Sequence, residues 1–342
     1  MLLNLNKKTE TADWENNIFT TPYYDFDKLA LDIFQIQYKE NKVYHQYVRS
    51  LKIDPKKVLK LVDIPFLPIS FFKTHEIISG EFNQELVFES SGTTGETTSR
   101  HFVKSVRLYQ ESFSRGFNIF YGSVKKWCIL GLLPGYLERS NSSLVKMVAD
   151  LIDESENPRS GFYLHNHETL YQTLVANEIA EQPSLLIGVT YSLLDFAEKY
   201  SLKLKYTTIM ETGGMKGKRE EITREEVHRI LEEKLGVKSI HSEYGMTELL
   251  SQAYSQGKGI FQSPPWMQVL IREYNDPFAI SDANSCTKPV GGLINIIDLA
   301  NLYSCSFIAT DDVGKLYKNA QFEILGRRDA SDLRGCSLMT AV

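Results

Sequence analysis

The run Phe88-Glu89-Ser90-Ser91-Gly92-Thr93-Thr94-Gly95-Glu96-Thr97-Thr98-Ser99 holds the densest chemistry in the chain. Ser90 to Gly95 places four hydroxyls and two glycines side by side, so backbone N–H groups and side chains can surround phosphate oxygens. Glycine lets the main chain come close to such a ligand. No Gly-Lys-Ser/Thr follows, which excludes a Walker A loop. Gln84–Phe88 and Arg100–Val103 read as strands, so the run sits at the tip of a β-hairpin. Taken alone, a Ser/Thr-rich hairpin turn explains it equally simply.

A second run, Ile240-His241-Ser242-Glu243-Tyr244-Gly245-Met246-Thr247-Glu248, places an aromatic, a glycine, a hydroxyl and a carboxylate within five residues. Tyr244 can stack on a base, Thr247 can hold a phosphate oxygen, and Glu248 can hold magnesium through oxygen. The competing reading makes Thr247 a helix N-cap and Glu248 a first-turn acid. A third run, Glu211-Thr212-Gly213-Gly214-Met215-Lys216-Gly217, follows a predicted strand. It suits either a wall against the adenine or an ordinary Gly-rich β-to-α turn.

Ser90–Gly95 resembles the phosphate loop of the adenylate-forming acyl- and aryl-CoA ligase superfamily, and Tyr244–Glu248 resembles its Tyr-Gly-x-Thr-Glu motif. Two further matches follow in order. Thr310-Asp311-Asp312 is similar to the motif whose aspartate grips the ribose, with Asp312 the aligned residue. Gly326-Arg327-Arg328-Asp329, with Arg334-Gly335 after it, is similar to the hinge motif. The matches span residues 88 to 335. The short chain and the terminal Arg334-Gly335-Cys336 most resemble the acyl-protein synthetase (LuxE-like) family, which serves a fatty-acid reductase. That resemblance implies ATP and Mg2+ as cofactors, a fatty acid as substrate and an acyl-CoA reductase as a possible partner. It assigns Ser90, Ser91, Gly92, Thr93, Thr94 and Gly95 to the phosphates and Gly213 and Gly214 to the adenine wall. Tyr244 takes the adenine, Thr247 the α-phosphate and Glu248 the metal, while Asp312 and Arg327 fix the ribose. It also implies a cysteine near the C-terminus that accepts the acyl group, and Cys336 is the one so placed. An inert tail cysteine is the alternative.

The chain has 342 residues, 42% hydrophobic and 24% charged, with a net charge of −5. That is ordinary for a globular protein and gives no basis for nonspecific nucleic-acid or anionic-membrane binding. A nucleotide site must take its positive character from local groups and magnesium. No membrane span and no signal-peptide apolar region are legible, so a cytoplasmic location is expected. The four cysteines, Cys128, Cys286, Cys305 and Cys336, show neither Cys-x-x-Cys nor zinc-ligand spacing. Cys128 and Cys305 fall in apolar runs and read as buried.

These motifs need a frame. Residues 27–50 carry Leu29, Leu31, Ile33 and Phe34 at helical spacing. Helices are predicted over Ser105–Phe117, Ser143–Ile152, Ser192–Tyr200 and Thr223–Leu235, the last closed by Gly236. Strands are predicted over Lys126–Leu133, Leu185–Val189, Tyr206–Met210 and Val237–His241. The alternation predicts a layered α/β domain with mainly parallel strands, its ligands beyond the carboxyl ends. Beyond Pro264, Met267–Tyr274, Gly292–Asp298, Ser304–Ala309, Gly314–Leu316 and Gln321–Leu325 predict a β-rich subdomain. The expected division is therefore 1–264 α/β, 265–326 β-rich and 327–342 a hinge-like tail. Ending at Val342, the chain is expected to lack the superfamily's mobile C-terminal domain with its lysine. Its loop has Glu96-Thr97-Thr98 where the superfamily has Pro-Lys, and Arg100 is a candidate for the missing charge. Three functions fit: an ATP-dependent acyl-protein synthetase, an acyl- or aryl-CoA ligase, and a non-catalytic nucleotide-binding subunit.

Overall fold

The computed structural model describes residues 14–20, 25–91, 97–134, 138–213, 222–285 and 287–328. A first helix, α1, covers 14–20. The apolar spacing of residues 27–50 gives two helices rather than one, α2 (Phe26–Glu40) and α3 (Lys42–Ser50). The break falls at buried Asn41. Its side-chain oxygen accepts the Tyr44 N–H at 2.9 Å, capping α3, and its Nδ2 donates to the Ser304 carbonyl at 3.0 Å. Strand β1 (Leu67–Pro68) and helix α4 (Phe71–Thr74) follow.

Strands β2 (Leu86–Glu89) and β3 (Arg100–Val103) pair antiparallel with Glu89 opposite Arg100, the hairpin expected around the Ser/Thr/Gly run. Helix α5 (Val106–Tyr121) starts at Ser105, whose hydroxyl accepts the Leu108 N–H. Next come β4 (Cys128–Leu132), α6 (Ser143–Ser155), β5 (Gly161–Phe162), α7 (His167–Ile179), β6 (Ser184–Val189), α8 (Thr190–Lys199), β7 (Thr207–Thr212), α9 (Arg224–Leu235) and β8 (Ile240–Tyr244). Thr223 caps α9, and Gly236 ends it in the left-handed region at φ +66°. A Cβ there would press on the Lys203 backbone. Helix α7 buries Leu170, Leu174 and Asn177 along thirteen residues, too thin an apolar stripe to show in the sequence.

Strands β5, β4, β6, β7 and β8 lie side by side and parallel. Successive residues of β4 serve two separate cores: Ile129 joins residues of α5 and α6, whereas Cys128, Leu130 and Leu132 join residues of α7, α8 and α9. Helices therefore cover both faces, as a buried parallel sheet requires.

The sheet then turns antiparallel through β9 (Ala253–Ser255), β10 (Ile260–Gln262), β11 (Met267–Arg272), β12 (Ile280–Ser281), β13 (Val290–Asp298), β14 (Phe307–Leu316) and β15 (Phe322–Arg327). The order across it is β12-β11-β13-β14-β15-β10-β9-β8-β7-β6-β4-β5, with β1 beside β14, thirteen strands among the described residues. Strand β14 is a single ten-residue strand where the sequence suggested two. The polar Thr310-Asp311-Asp312 breaks its apolar pattern, and its register shifts between Val313 and Gly314. Cys305 lies before this strand rather than in it. Among the described residues no helix is long and apolar enough to cross a membrane.

Candidate active site

A cavity of about 670 Å³ opens where the carboxyl ends of β7 and β8 meet the β2–β3 hairpin, the N-terminus of α6 and the β14–β15 pair. Ser90, Ser91, Gly213, Tyr244, Thr247, Glu248, Asp312 and Arg327 all line it. Residues spread from 90 to 327 in the chain are thus brought to one place. Gly92, Thr93, Thr94, Gly95, Gly214 and Cys336 lie outside the described residues.

The hairpin orders the entry to the Ser/Thr/Gly run through its own backbone. The Ser90 N–H donates to the Ser99 carbonyl at 3.1 Å, and the Ser99 N–H donates to Ser90 Oγ at 2.9 Å. Ser99 also bonds the Glu248 carboxylate, linking this loop to the second motif.

No helix follows Thr247 and Glu248. After β8 the chain turns, and the next regular element is strand β9. The N-cap reading of Thr247 therefore does not hold. The turn is fixed from outside: His101 Nδ1 lies 2.9 Å from the Thr247 carbonyl. Burial pushes the His101 pKa down to about 4, so the ring is neutral. A carbonyl only accepts, so the proton must sit on Nδ1. Glu248 is buried, and burial raises its carboxyl above the ordinary range despite the Ser99 bond and nearby Arg327.

At the far wall, the Tyr244 hydroxyl donates to Asp312 Oδ2 at 2.6 Å. Burial and the facing carboxylate push the phenol well up, so it stays a donor. Burial also raises Asp312, against the lowering effects of Tyr244 and Arg327. Arg327 is its cross-strand partner on β15. The Tyr244 ring stands edge-on to Phe261 and Phe322 at about 6 Å, and those two stack on each other at 5.5 Å. Arg224, the first residue of α9, ties the walls together: Nη1 donates to the Ile324 carbonyl at 2.8 Å, and Nε lies 3.4 Å from Glu211 Oε1. Positive charge reaches the cavity from Lys73, Arg139, Arg224 and Arg327.

Comparison with known proteins decides the family. The model of the acyl-protein synthetase family LuxE matches residues 23–341. The chain belongs to the LuxE acyl-protein synthetase family. One curated relative, a long-chain-fatty-acid–luciferin-component ligase of Photorhabdus luminescens, is 38% identical over 69 residues, 20% of this chain and 59% of the relative. Among solved structures, ATP-bound MatB from Rhodopseudomonas palustris matches with a TM-score of 0.53 at 14% identity, over 72% of this chain and 49% of that one. The ATP-bound chimera RpMatB-BxBclM B3 matches with a TM-score of 0.54, also at 14% identity and with the same coverage. These two show a shared fold, and this LuxE-family chain spans about half the length of each.

Three features of the LuxE-family site were not legible beforehand. Asp298, at the end of β13, is fully buried and accepts the N–H groups of Leu250, Ser251 and Ala300 and the Ser251 hydroxyl, at 2.6–3.1 Å. Asn301 beside it donates to the Glu248 carbonyl at 2.8 Å and accepts the Leu250 N–H at 3.1 Å. Together they hold the turn that carries Glu248. Glu243 is the third. It is buried on β8, takes a bond from the Thr212 hydroxyl, and is pushed up to about 7 by burial, with Glu211 adding to the rise. The predicted strand stopped at His241. A charged residue inside a strand flanked on both sides was the available signal.

Cys128 and Cys305 are both buried thiols, and burial raises both, Cys305 to about 12. Neither is suited to act as a nucleophile. Cys286 and Cys336 lie outside the described residues.

Proposed function

We propose that this LuxE-family chain activates a carboxylic acid with ATP and passes the acyl group to a protein thiol. The carrying observation is the convergence of Ser90, Ser91, Tyr244, Thr247, Glu248, Asp312 and Arg327 on one cavity. The ATP-bound state of both MatB-type structures and the fatty-acid ligase name of the curated relative support the same reading. We take the acid to be of the fatty type.

In the first half-reaction a carboxylate oxygen attacks the α-phosphorus of ATP. The bond from that phosphorus to the bridging oxygen breaks, and pyrophosphate leaves with its electron pair. Ser90 and Ser91, with Gly92, Thr93, Thr94 and Gly95, would hold the phosphates, and Thr247 the α-phosphate. Tyr244 would lie along the adenine, with Gly213 and Gly214 in the wall. Asp312, oriented by the Tyr244 hydroxyl, and Arg327 would grip the ribose.

Among the described residues no three His, Cys, Asp or Glu groups form a metal cluster. Magnesium commonly takes one or two carboxylates and completes its shell with water and substrate phosphates, so Glu248 on the wall of this cavity fits it. Bound there, the ion would neutralise phosphate charge. Glu248 would hold it, and Asn301 and His101 would keep the turn in place.

In the second half-reaction a thiolate attacks the acyl carbon, the C–O bond to AMP breaks and a thioester remains. Cys336 is the proposed acceptor, with a reductase of acyl groups as the proposed partner. Release to CoA is the competing outcome.

The test is acid-dependent ATP–pyrophosphate exchange, followed by hydroxylamine-sensitive labelling from a labelled acid. Glu248→Gln should lower exchange by about 100-fold or more while leaving the unfolding midpoint near that of the parent. An unchanged rate and magnesium titration would remove Glu248 from the site. Cys336→Ser should abolish labelling and keep exchange. Efficient turnover with free CoA would favour the ligase instead.

A further inference from the structure

Six carboxyls line the cavity against four cationic side chains, so a triphosphate entering it meets an acidic wall. Where its compensating charge comes from is decided by what each cation already does. Arg224 is committed to the Ile324 carbonyl and Glu211. Arg327 stands opposite Asp312 on the β14–β15 pair, at the ribose wall. Lys73 is exposed on the short helix α4. Arg139 is different: it is half-buried, lines the cavity, and its side chain has no hydrogen bond or ion pair among the described residues. Arg100, the cation the sequence suggested, is not on the described lining, and its guanidinium lies 5.4 Å from the centroid of the Phe102 ring.

The position of Arg139 is fixed by the turn between β4 and α6. The Ser142 N–H donates to the Arg139 carbonyl at 3.1 Å, and Ser142 Oγ accepts the Val145 N–H at 3.4 Å to cap the helix. Asn141 fastens this turn to the β2–β3 hairpin. Its carbonyl accepts the Glu89 N–H at 2.8 Å, and its Nδ2 donates to Glu89 Oε2 at 2.5 Å. Glu89 is the last residue of β2, directly before Ser90. Arg139 therefore enters the cavity from a turn bonded to the start of the Ser/Thr/Gly run. The acid next to it in sequence, Glu138, is engaged by His165 at 2.9 Å.

Hydroxyls and backbone N–H groups can bond phosphate oxygens but bring no net charge. When the bond from the α-phosphorus to the bridging oxygen breaks, its electron pair goes to pyrophosphate and negative charge gathers there. A guanidinium supplies a permanent positive charge and a planar fork of donors that matches phosphate oxygens. An arginine with no partner has none to give up when the ligand arrives. We infer that Arg139 is a phosphate-binding residue that holds the β- and γ-phosphates of ATP and stabilises the departing pyrophosphate. This inference rests on the acid-activation reading above and adds the side chain that supplies charge to its leaving group.

The test compares Arg139→Ala and Arg139→Lys with the parent on the full chain. Calorimetry with magnesium measures binding of a non-hydrolysable ATP analogue, of pyrophosphate and of AMP, and acid-dependent exchange measures turnover. Arg139→Ala should weaken the analogue and pyrophosphate about tenfold or more and leave AMP within about twofold, because AMP lacks the two outer phosphates. Its kcat for exchange should fall about 100-fold. Arg139→Lys keeps the charge without the fork and should recover part of both losses. Unfolding midpoints near the parent's should accompany these changes, since the arginine makes no side-chain bond to the described residues. Unchanged binding of the analogue in Arg139→Ala overturns the inference, as does an equal loss for AMP. A loss confined to KM for the acid also overturns it and gives Arg139 to the acid's carboxylate. Lys73→Ala should lose less than Arg139→Ala, and the reverse order would move the role to Lys73. Binding of the analogue that depends on Arg139, in a parent with no exchange, upholds the inference and sinks acid activation, so the two failures are distinguishable.

Discussion

Asp298 and Glu243 are both carboxyls withdrawn from water close to the Tyr244–Glu248 turn, and they are satisfied in different ways. Asp298 accepts from three backbone N–H groups and the Ser251 hydroxyl, and its surroundings are all protein. Glu243 receives the Thr212 hydroxyl and lines the cavity. Burial raises both, Asp298 to about 6 and Glu243 to about 7. The four donors offset part of the desolvation of Asp298, whereas one donor and the neighbouring Glu211 leave Glu243 higher. A buried acid closed off by donors is a structural clamp. One left short of donors beside a cavity keeps acceptor capacity for a ligand.

The comparison breaks most directly at Asp298. Removing the carboxylate with Asp298→Ala leaves the N–H groups of Ser251 and Ala300 and the Ser251 hydroxyl without this acceptor, while the Leu250 N–H keeps only Asn301 Oδ1. At roughly 1–3 kcal/mol for each stranded group, partly offset by relaxation, we expect a loss of about 4 kcal/mol in urea unfolding. Pyrophosphate exchange should fall with it, because the Glu248 turn loses its anchor. A loss below about 1 kcal/mol would mean that Asp298 is not the clamp.

Glu243 should show the opposite sign. Burial holds its carboxyl at about 7 in the folded protein, against an ordinary value of 4.5 when exposed. Between those values the folded state holds a proton that the unfolded state has released, so wild-type stability falls as pH rises through that window. Glu243→Gln keeps an acceptor for Thr212 and has no charge to bury. The variant should match wild type below pH 4.5, gain on it through the window, and lead by on the order of 3 kcal/mol above pH 7. Urea midpoints at about pH 5 and about pH 8 measure this. A constant difference between the two would show that Glu243 does not titrate there.

The same contrast explains what the sequence could and could not reveal. Ser90, Ser91 and Tyr244–Glu248 were readable because each motif is contiguous and uses turn chemistry that local sequence encodes. The parallel half followed from helix caps such as Ser105 and Thr223 and from alternating apolar runs. Asp298 was hidden because its partners lie 47 and 48 residues away, and an aspartate at a strand end reads as surface. Asn41 was hidden likewise: the helical period runs through it, and its second partner, Ser304, is 263 residues distant. Strands β9 and β10, three residues each, are too short for a period to register. Local chemistry was legible, while polar contacts across the fold were not.

The smallest expected effect sharpens the comparison at a third acid. Asp312 is half-buried, unlike the other two; its carboxylate accepts the Tyr244 hydroxyl, and its backbone N–H donates to Thr310 Oγ1. In the proposed function its carboxylate must face the ribose, so Tyr244 should orient it without taking part in chemistry. Tyr244→Phe keeps the ring edge-on to Phe261 and Phe322 and removes only the hydroxyl. One neutral-to-charged hydrogen bond contributes about 1–2 kcal/mol, so KM for ATP should rise roughly tenfold with kcat near the parent's. Tyr244→Ala removes the ring as well and should raise KM further. If the phenylalanine variant kept the parental KM, the ring alone would be the contribution of Tyr244. Asp312 would then resemble Asp298, held by its surroundings whether or not the hydroxyl is present.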